Sequence, residues 1–439
     1  MEIRLDPEYH TYEEMVTELT ALELAYPQIA MMESIGVSAE EQRIVWAFKI
    51  SDNVQQEEDE PAVLYDGVHH ACEVMGLEIC MRLINDLLND YGSDPQVTSW
   101  VDNTEIWFIP LLNPDGHSAV TDSISLYWRK NGRDLNGNGT LYEYDCNDWW
   151  TCDTEGVNLN RNYDFNFAQG GSGSPWNCDY RGASPFSEDK NVAIRNLAVE
   201  QKFLMSISYH SYGEIVFYPW NWDGSYAPDD VALTDAAMQI AFRITQHDGF
   251  GTYEWGRNGA LGGMSANWLY GTQGTFDFMI EVLEWPNFII PGSEVDSVYR
   301  ANKPGAVYLL DRIRGTSITG IISDSLTRYP LEAQVRIIEL YSPDVSPRKS
   351  DPLFGRYRWL LTPGIYSLEF SKPGYVTKAY SNVEVSPGEP TVLDVQLTPR
   401  IPVPVLSAWG LAVVVMLLLT SAVVRYRLRT RRCSPLKTR

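Results

Sequence analysis

The chain has 439 residues, 44% of them apolar, with 25 Tyr and 14 Trp, which exceeds one ordinary domain and supplies enough apolar surface to exclude a disordered chain. The net charge is −24 overall and +7 over the last fifteen residues, Arg425 to Arg439, which leaves −31 on the remainder. A body this acidic argues against nucleic acid as a partner, because phosphate binding needs the opposite sign.

Residues 11–26 read as an opening helix with Met15, Leu19 and Leu22 on one face. Apolar runs at Ile44–Ile50, Ala62–Tyr65, Ile106–Leu112, Phe203–Tyr209 and Phe276–Val282 read as strands, with helical stretches near 74–90, 188–200 and 229–247. This alternation predicts an α/β unit over 1–314, with a mixed, mostly buried sheet flanked by helices. Chemistry in such sheets collects at strand ends. After Arg314 short β-type runs appear at Ser317–Ile322, Ala333–Leu340, Tyr357–Leu361, Ile365–Phe370 and Val392–Leu397, separated by Pro-Gly turns. They predict a small all-β sandwich over 315–399.

Ile401 to Val424 contain no charged side chain, which predicts a transmembrane helix over 400–424. The arginines of the basic tail, 425–439, would keep it cytoplasmic and the body outside. The opening Met1-Glu-Ile-Arg-Leu-Asp has no signal-peptide pattern, so export of the body would require such a segment upstream. Of six cysteines none forms a C-x-x-C pair, and Cys146, Cys152 and Cys178 share one loop-rich stretch. A disulfide between two of these is expected in an oxidising compartment.

His70 and Glu73, three residues apart after the run ending at Tyr65, would point the same way at a helix start. An imidazole and a carboxylate so placed can share a divalent metal, but a catalytic zinc needs a third protein ligand and one open position. The pair alone is a weak signal, and His69 is a rival ligand without a carboxylate at i+3. His210, at the end of Phe203–Tyr209, is the candidate third ligand, although a lone histidine at a strand end is more often structural. Asp134, Asn136, Asn138 and Thr140, with Gly139 and with Asp145 at position twelve, fit the spacing of a calcium loop.

Six stretches in order resemble the zinc carboxypeptidase family that includes carboxypeptidases A, B and T. They are His70-Ala-Cys-Glu73, Asn113-Pro-Asp-Gly116, Trp128-Arg-Lys-Asn131, Gly156-Val-Asn-Leu-Asn-Arg-Asn162, His210-Ser-Tyr212 and Phe276-Asp-Phe-Met-Ile-Glu281. The resemblance spans roughly residues 7–314. It implies that His70, Glu73 and His210 hold one zinc ion, the ligand set known for carboxypeptidase A. It also implies a general base at Glu281, an oxyanion contact at Arg129, a grip on the substrate's terminal carboxylate at Asn160 and Arg161, and a substrate contact at Tyr212. Peptide or protein C-termini are the implied substrates.

Three positions depart from the family. Asn158 stands where an Asp often orients the first zinc histidine, Cys72 replaces a substrate-contacting Arg, and the mobile Tyr covering the substrate is out of register near Asn258 and Gly259. Tyr253 is the expected substitute. Ala266 and Asn267 fall near the family's pocket floor and write neither a basic nor an acidic preference there. The β-rich segment resembles the transthyretin-like module of some members, and the tail from Pro404 resembles the IPTL-CTERM sorting tail of Gram-negative bacteria. Two alternatives stand beside this reading. One is an amidohydrolase of the aspartoacylase type, which shares the His-x-x-Glu pair; the other is a catalytically inactive, calcium-dependent surface-binding protein.

Overall fold

The computed structural model of the protein describes residues 5–38, 40–142, 155–259, 261–400 and 415–423. Thr11 opens helix α1 (Tyr12–Ala25): its hydroxyl accepts the Glu14 N–H, and the Glu14 carboxylate accepts the Thr11 N–H in return. Met15 and Leu19 of that helix are buried.

One mixed sheet contains β1 (Ala30–Val37), β2 (Ile44–Ile50), β3 (Ala62–Gly67), β4 (Glu105–Ile109), β5 (Met205–Ser211), β6 (Ile215–Phe217), β7 (Glu254–Gly256) and β8 (Phe276–Val282). Their order is β1-β2-β4-β3-β5-β8-β6-β7. β3 runs parallel to β4 and β5, and β5 parallel to β8, while β2 pairs antiparallel with β4 and β6 with β8. The helices are α2 (Met75–Asp90), α3 (Pro95–Val101), α4 (Pro114–Thr121), α5 (Asp189–Gln201), α6 (Asp230–Ala241), α7 (Ser265–Trp268) and α8 (Gly292–Arg312).

Alternation along the strands divides the interior. Val63 and Tyr65 of β3 join one core with residues of α1, α2, α6 and α8, whereas Ala62 and Leu64 join a second with α5 and Trp268. From β3 the chain crosses to β4 on one side, then returns to β5 on the other. The ends of β3 and β5 therefore bound a crevice at a topological switch point.

Close packing brings α2 onto those ends. A Cβ at Gly67 would stand 2.7 Å from the Gly76 carbonyl carbon, and a Cβ at Gly76 would stand 3.0 Å from Tyr209 Cβ. Only glycines let the helix start so near the strands. Between them Val68 is held at φ 59°, a left-handed conformation that disfavours a β-branched residue.

The second unit consists of β9 (Ser317–Asp324), β10 (Gln334–Ile337), β11 (Arg348–Lys349), β12 (Arg356–Leu360), β13 (Gly364–Ser371), β14 (Tyr375–Val376), β15 (Lys378–Val385), β16 (Pro390–Val392) and β17 (Val395–Pro399). They form sheets β11-β10-β13-β15 and β12-β9-β17-β14, with β16 beside β9, around a core that includes Ile318, Ile337, Leu368, Phe370 and Val395. Polar contacts join this unit to the first. Asp59 receives Arg356 at 2.7 Å and Arg358 at 2.9 Å, and Asp229 receives Arg348 and the Trp359 indole N–H, both at 2.8 Å.

No helix among the described residues is long and apolar enough to cross a membrane. Of the predicted span 400–424, residues 415–423 are helical, and 401–414 and 424 lie outside the described residues, as does the basic tail. Cys178 is disulfide-bonded while Cys72 and Cys80 are buried free thiols. The partner of Cys178 thus lies outside the described residues, where Cys146 and Cys152 also fall.

Candidate active site

β3, β5 and β8 deliver the site residues to one end of the sheet. His70 and Glu73 lie in the turn between β3 and α2, His210 is near the end of β5, and Glu281 is its register partner on β8. Ligand atoms of buried His70, Glu73 and His210 all lie within 4.8 Å of one another. His70 Nδ1 stands 2.8 Å from Glu73 Oε1, His210 Nδ1 stands 2.7 Å from Glu73 Oε2, and the two Nδ1 atoms are 3.2 Å apart.

The outer contact of His70 fixes its tautomer. Asn158 Oδ1 accepts the Asn160 N–H at 3.0 Å, so it is an oxygen, and the His70 Nε2–H must donate to it across 3.0 Å. On His210, Nε2 meets Ser208 Oγ and Asn160 Nδ2, each at 3.3 Å. The Asn160 oxygen is taken by the Ser265 N–H at 2.9 Å, so the Asn160 amide presents its N–H side to the His210 Nε2. The Ser208 hydroxyl donates onward to Asp66 Oδ1 at 2.7 Å. Both Nδ1 atoms therefore converge on the Glu73 carboxylate, and with the His70 N–H turned outward this is an arrangement that a shared cation satisfies. Burial and the nearby Arg129 charge lower the His70 pKa to about 3, which keeps it neutral as a ligand must be. Two neutral imidazoles and one carboxylate fit zinc.

His69, the rival ligand, faces elsewhere. It contacts Asp66 at 3.0 Å through Nδ1 and the Tyr163 hydroxyl at 2.9 Å through Nε2.

Arg129 donates to Glu73 Oε1 at 2.9 Å. Its segment is tied down by Asn113, whose amide donates to the carbonyls of His69 and Lys130 at 3.3 and 3.1 Å, and by the Ala71 N–H bond to Arg129 O. Arg161 donates to Asn160 O at 2.8 Å and lies 3.3 Å from Asp179, which is 4.0 Å from Arg129. Asp179 had no signal in the sequence, since it belongs to none of the ordered stretches. Burial and the Glu73 charge raise the Glu281 pKa well above the usual carboxylate range, against the pull of Arg129 and Arg161. The Tyr212 ring packs on Phe288 with centroids 4.7 Å apart.

A family profile described as zinc carboxypeptidase matches residues 15–305, and one described as carboxypeptidase regulatory-like domain matches 317–398. The chain belongs to the zinc carboxypeptidase family. It is 26% identical to carboxypeptidase A2 of Rattus norvegicus over 70% of each chain. It is 25% identical to human carboxypeptidase D over 85% of this chain and 26% of that much longer one. The crystal structure of carboxypeptidase A from Helicoverpa armigera shares its fold, with a TM-score of 0.60 at 23% identity over 68% of this chain and 72% of that one. By family the protein is a zinc metallocarboxypeptidase, not an amidohydrolase of the aspartoacylase type.

Within this zinc carboxypeptidase the departures have structural answers. Cys72 is buried, and burial together with Glu73 pushes its thiol up to about 12, so it is a neutral group and not a carboxylate partner. Tyr253 does not supply the missing mobile Tyr. It is 3% exposed within the main core and cannot cover a substrate. Asn267 is occupied: its oxygen accepts the Asn221 N–H and its amide donates to the Leu261 carbonyl. In the predicted calcium loop the Asp134 carboxylate accepts the N–H groups of Gly137 at 2.6 Å and Gly139 at 2.8 Å. Asn138 Oδ1 accepts the Thr140 N–H at 2.7 Å, and Asp145 lies outside the described residues.

Metal removal tests the cluster. The protein is expected to carry one zinc per chain, and zinc at about 100 times its Kd adds about 2.7 kcal/mol of stability. Calorimetry should show a lower Tm after chelation, whereas His210→Ala should hold no zinc and show no chelator-dependent shift. A full zinc complement in His210→Ala would refute the ligand set.

Proposed function

We propose that this zinc carboxypeptidase removes C-terminal residues from peptides or proteins, with His70, Glu73 and His210 as zinc ligands and Glu281 as general base. The observation that carries the reading is the placement of Glu281 beside His210 on the neighbouring strand, within the field of Glu73, Arg129 and Arg161. Zinc when bound supplies a Lewis acid and a water of lowered pKa. Glu281 takes a proton from the attacking water, whose oxygen bonds to the scissile carbonyl carbon. The same carboxyl then gives that proton to the departing amine as the C–N bond breaks. A carboxyl with a raised pKa suits both transfers.

Arg129, held on Glu73, offers its guanidinium to the oxyanion. Arg161 and Asn160 grip the terminal carboxylate, which makes the enzyme an exopeptidase. Arg161 is 6% exposed and its Nε has no partner among the described residues, so donor capacity is in reserve. Tyr212, two residues beyond His210, borders the same substrate. Glu281→Gln should lower kcat on a peptide substrate by at least about a hundredfold while zinc content stays at one per chain. Undiminished turnover would sink the general-base role.

Two further parts belong to this reading. A calcium ion at Asp134, Asn136, Asn138, Thr140 and Asp145 is supported by the spacing and by the Asp134 carboxylate turned into its loop. Millimolar calcium should raise the Tm of the zinc-loaded parent but not of Asp134→Ala, and equal melting of both would remove the ion from the reading. Attachment to a membrane by 400–424, with the body exported and the basic tail cytoplasmic, is supported by the uncharged run and its arginine flank. Fractionation should find the full chain with membranes and a chain ending at Arg400 in the soluble fraction. Identical partitioning of the two would exclude the anchor.

A further inference from the structure

The neutral Asn158 behind His70 is not the end of its hydrogen-bond chain. Its amide nitrogen donates to the Cys178 carbonyl at 3.1 Å and to Asp179 Oδ1 at 2.9 Å. Each end of the amide thus has a backbone partner that fixes its orientation: the Asn160 N–H at the oxygen and the Cys178 carbonyl at the nitrogen. The sequence of contacts is therefore directed, from His70 Nε2–H to the Asn158 oxygen, and from the Asn158 N–H to a carboxylate.

We propose that Asp179 is a positioning residue for the zinc ligand His70, acting through the Asn158 amide. This rests on the reading of His70 as a ligand. Metal-bound imidazoles commonly donate their second N–H to a carboxylate, which orients the ring and raises its basicity. Here the carboxylate stands one amide further out. A carboxylate accepting from the amide nitrogen polarises the amide and makes its oxygen a stronger acceptor for the imidazole N–H. Asp179 also lies 3.3 Å from Arg161 and 4.0 Å from Arg129, so one charge braces both the metal ligand and the substrate-facing arginines. Arg161 and Arg129 favour its ionised form against the cost of burial.

Asp179→Asn removes the charge and keeps the shape. Zinc affinity, measured on the full chain by competition with a chromophoric chelator, should fall by about 10–100-fold. Moving the charge inward in Asn158→Asp/Asp179→Asn should restore it, which a loss of general packing could not do. Asp179→Ser carries the same measurement if the amide variant does not fold. Parental zinc affinity in the single variant, or a double variant as weak as the single one, would overturn the proposal. A change of KM alone, with zinc affinity intact, would overturn it too, leaving Asp179 as a partner of the arginines only. A parent that binds no zinc would instead overturn the ligand assignment beneath it.

Discussion

The structure is organised around one constraint: a buried carboxylate, Glu73, faces the Nδ1 atoms of two buried imidazoles. Burying a charge without a partner costs several kcal/mol, and here Arg129 is the charged donor to Glu73 among the described residues. His70 supplies no proton, because its N–H is already directed away to Asn158. A cation in the middle makes the arrangement coherent. The glycines at 67 and 76, the left-handed Val68 and the Asn113 brace all serve to bring this unfavourable set together. Strain and desolvation at such a site are offset by the large core on both faces of the sheet.

Strand alternation explains why the chemistry and the core coexist on the same three strands. On β5, Ser206, Ser208 and His210 share one face while Ile207 and Tyr209 pack in the core on the other. On β8, Asp277, Met279 and Glu281 alternate in the same way with Phe278 and Ile280. A polar column therefore descends from the metal cluster into the sheet, with Ser208 bonded to Asp66 and Ser206 to Asp277. Burial and the Asp66 charge push Asp277 up to about 8, so at neutral pH it is largely protonated, which spares the column a second charge. Rigid strands, not loops, hold His210 and Glu281, and that fixes their relative position, as the proposed proton transfer would require.

Much of this was legible from residues whose physics is local. β2 and β8 occupy the predicted Ile44–Ile50 and Phe276–Val282, because short runs dominated by β-branched and aromatic residues and buried over most of their length have few alternatives. β1 was missed since it is an edge strand whose Met-Met-Glu-Ser sequence has no clean alternation, and β15 since its Lys378–Val385 is largely exposed. α8 was hidden by Pro304 and by its mixed composition. β4 ends at Ile109, before the predicted Leu112, where Pro110 interrupts the ladder. The predicted 229–247 helix stops at Ala241 and its last residues turn instead. Asp179 and Ser208 were not legible at all. Their roles come from tertiary proximity to Asn158 and His210, which no spacing in the chain records.

The same distinction bears on the departures from the family. A motif compares residues position by position, so Asn158 reads as a lost charge and Cys72 as a lost guanidinium. The structure separates the two. Behind Asn158 a carboxylate is present at Asp179, one amide further from His70. The Cys72 thiol is buried and neutral and supplies no cation of its own. In the proposed reading, recognition of the substrate's terminal carboxylate falls on Arg161 and Asn160, with Asp179 already drawing on the Arg161 charge. An Arg so partnered offers a weaker net field than a free one. Asn160, whose amide reaches both His210 and Met279, would then link the proposed clamp to the metal cluster, so a change there should disturb both at once.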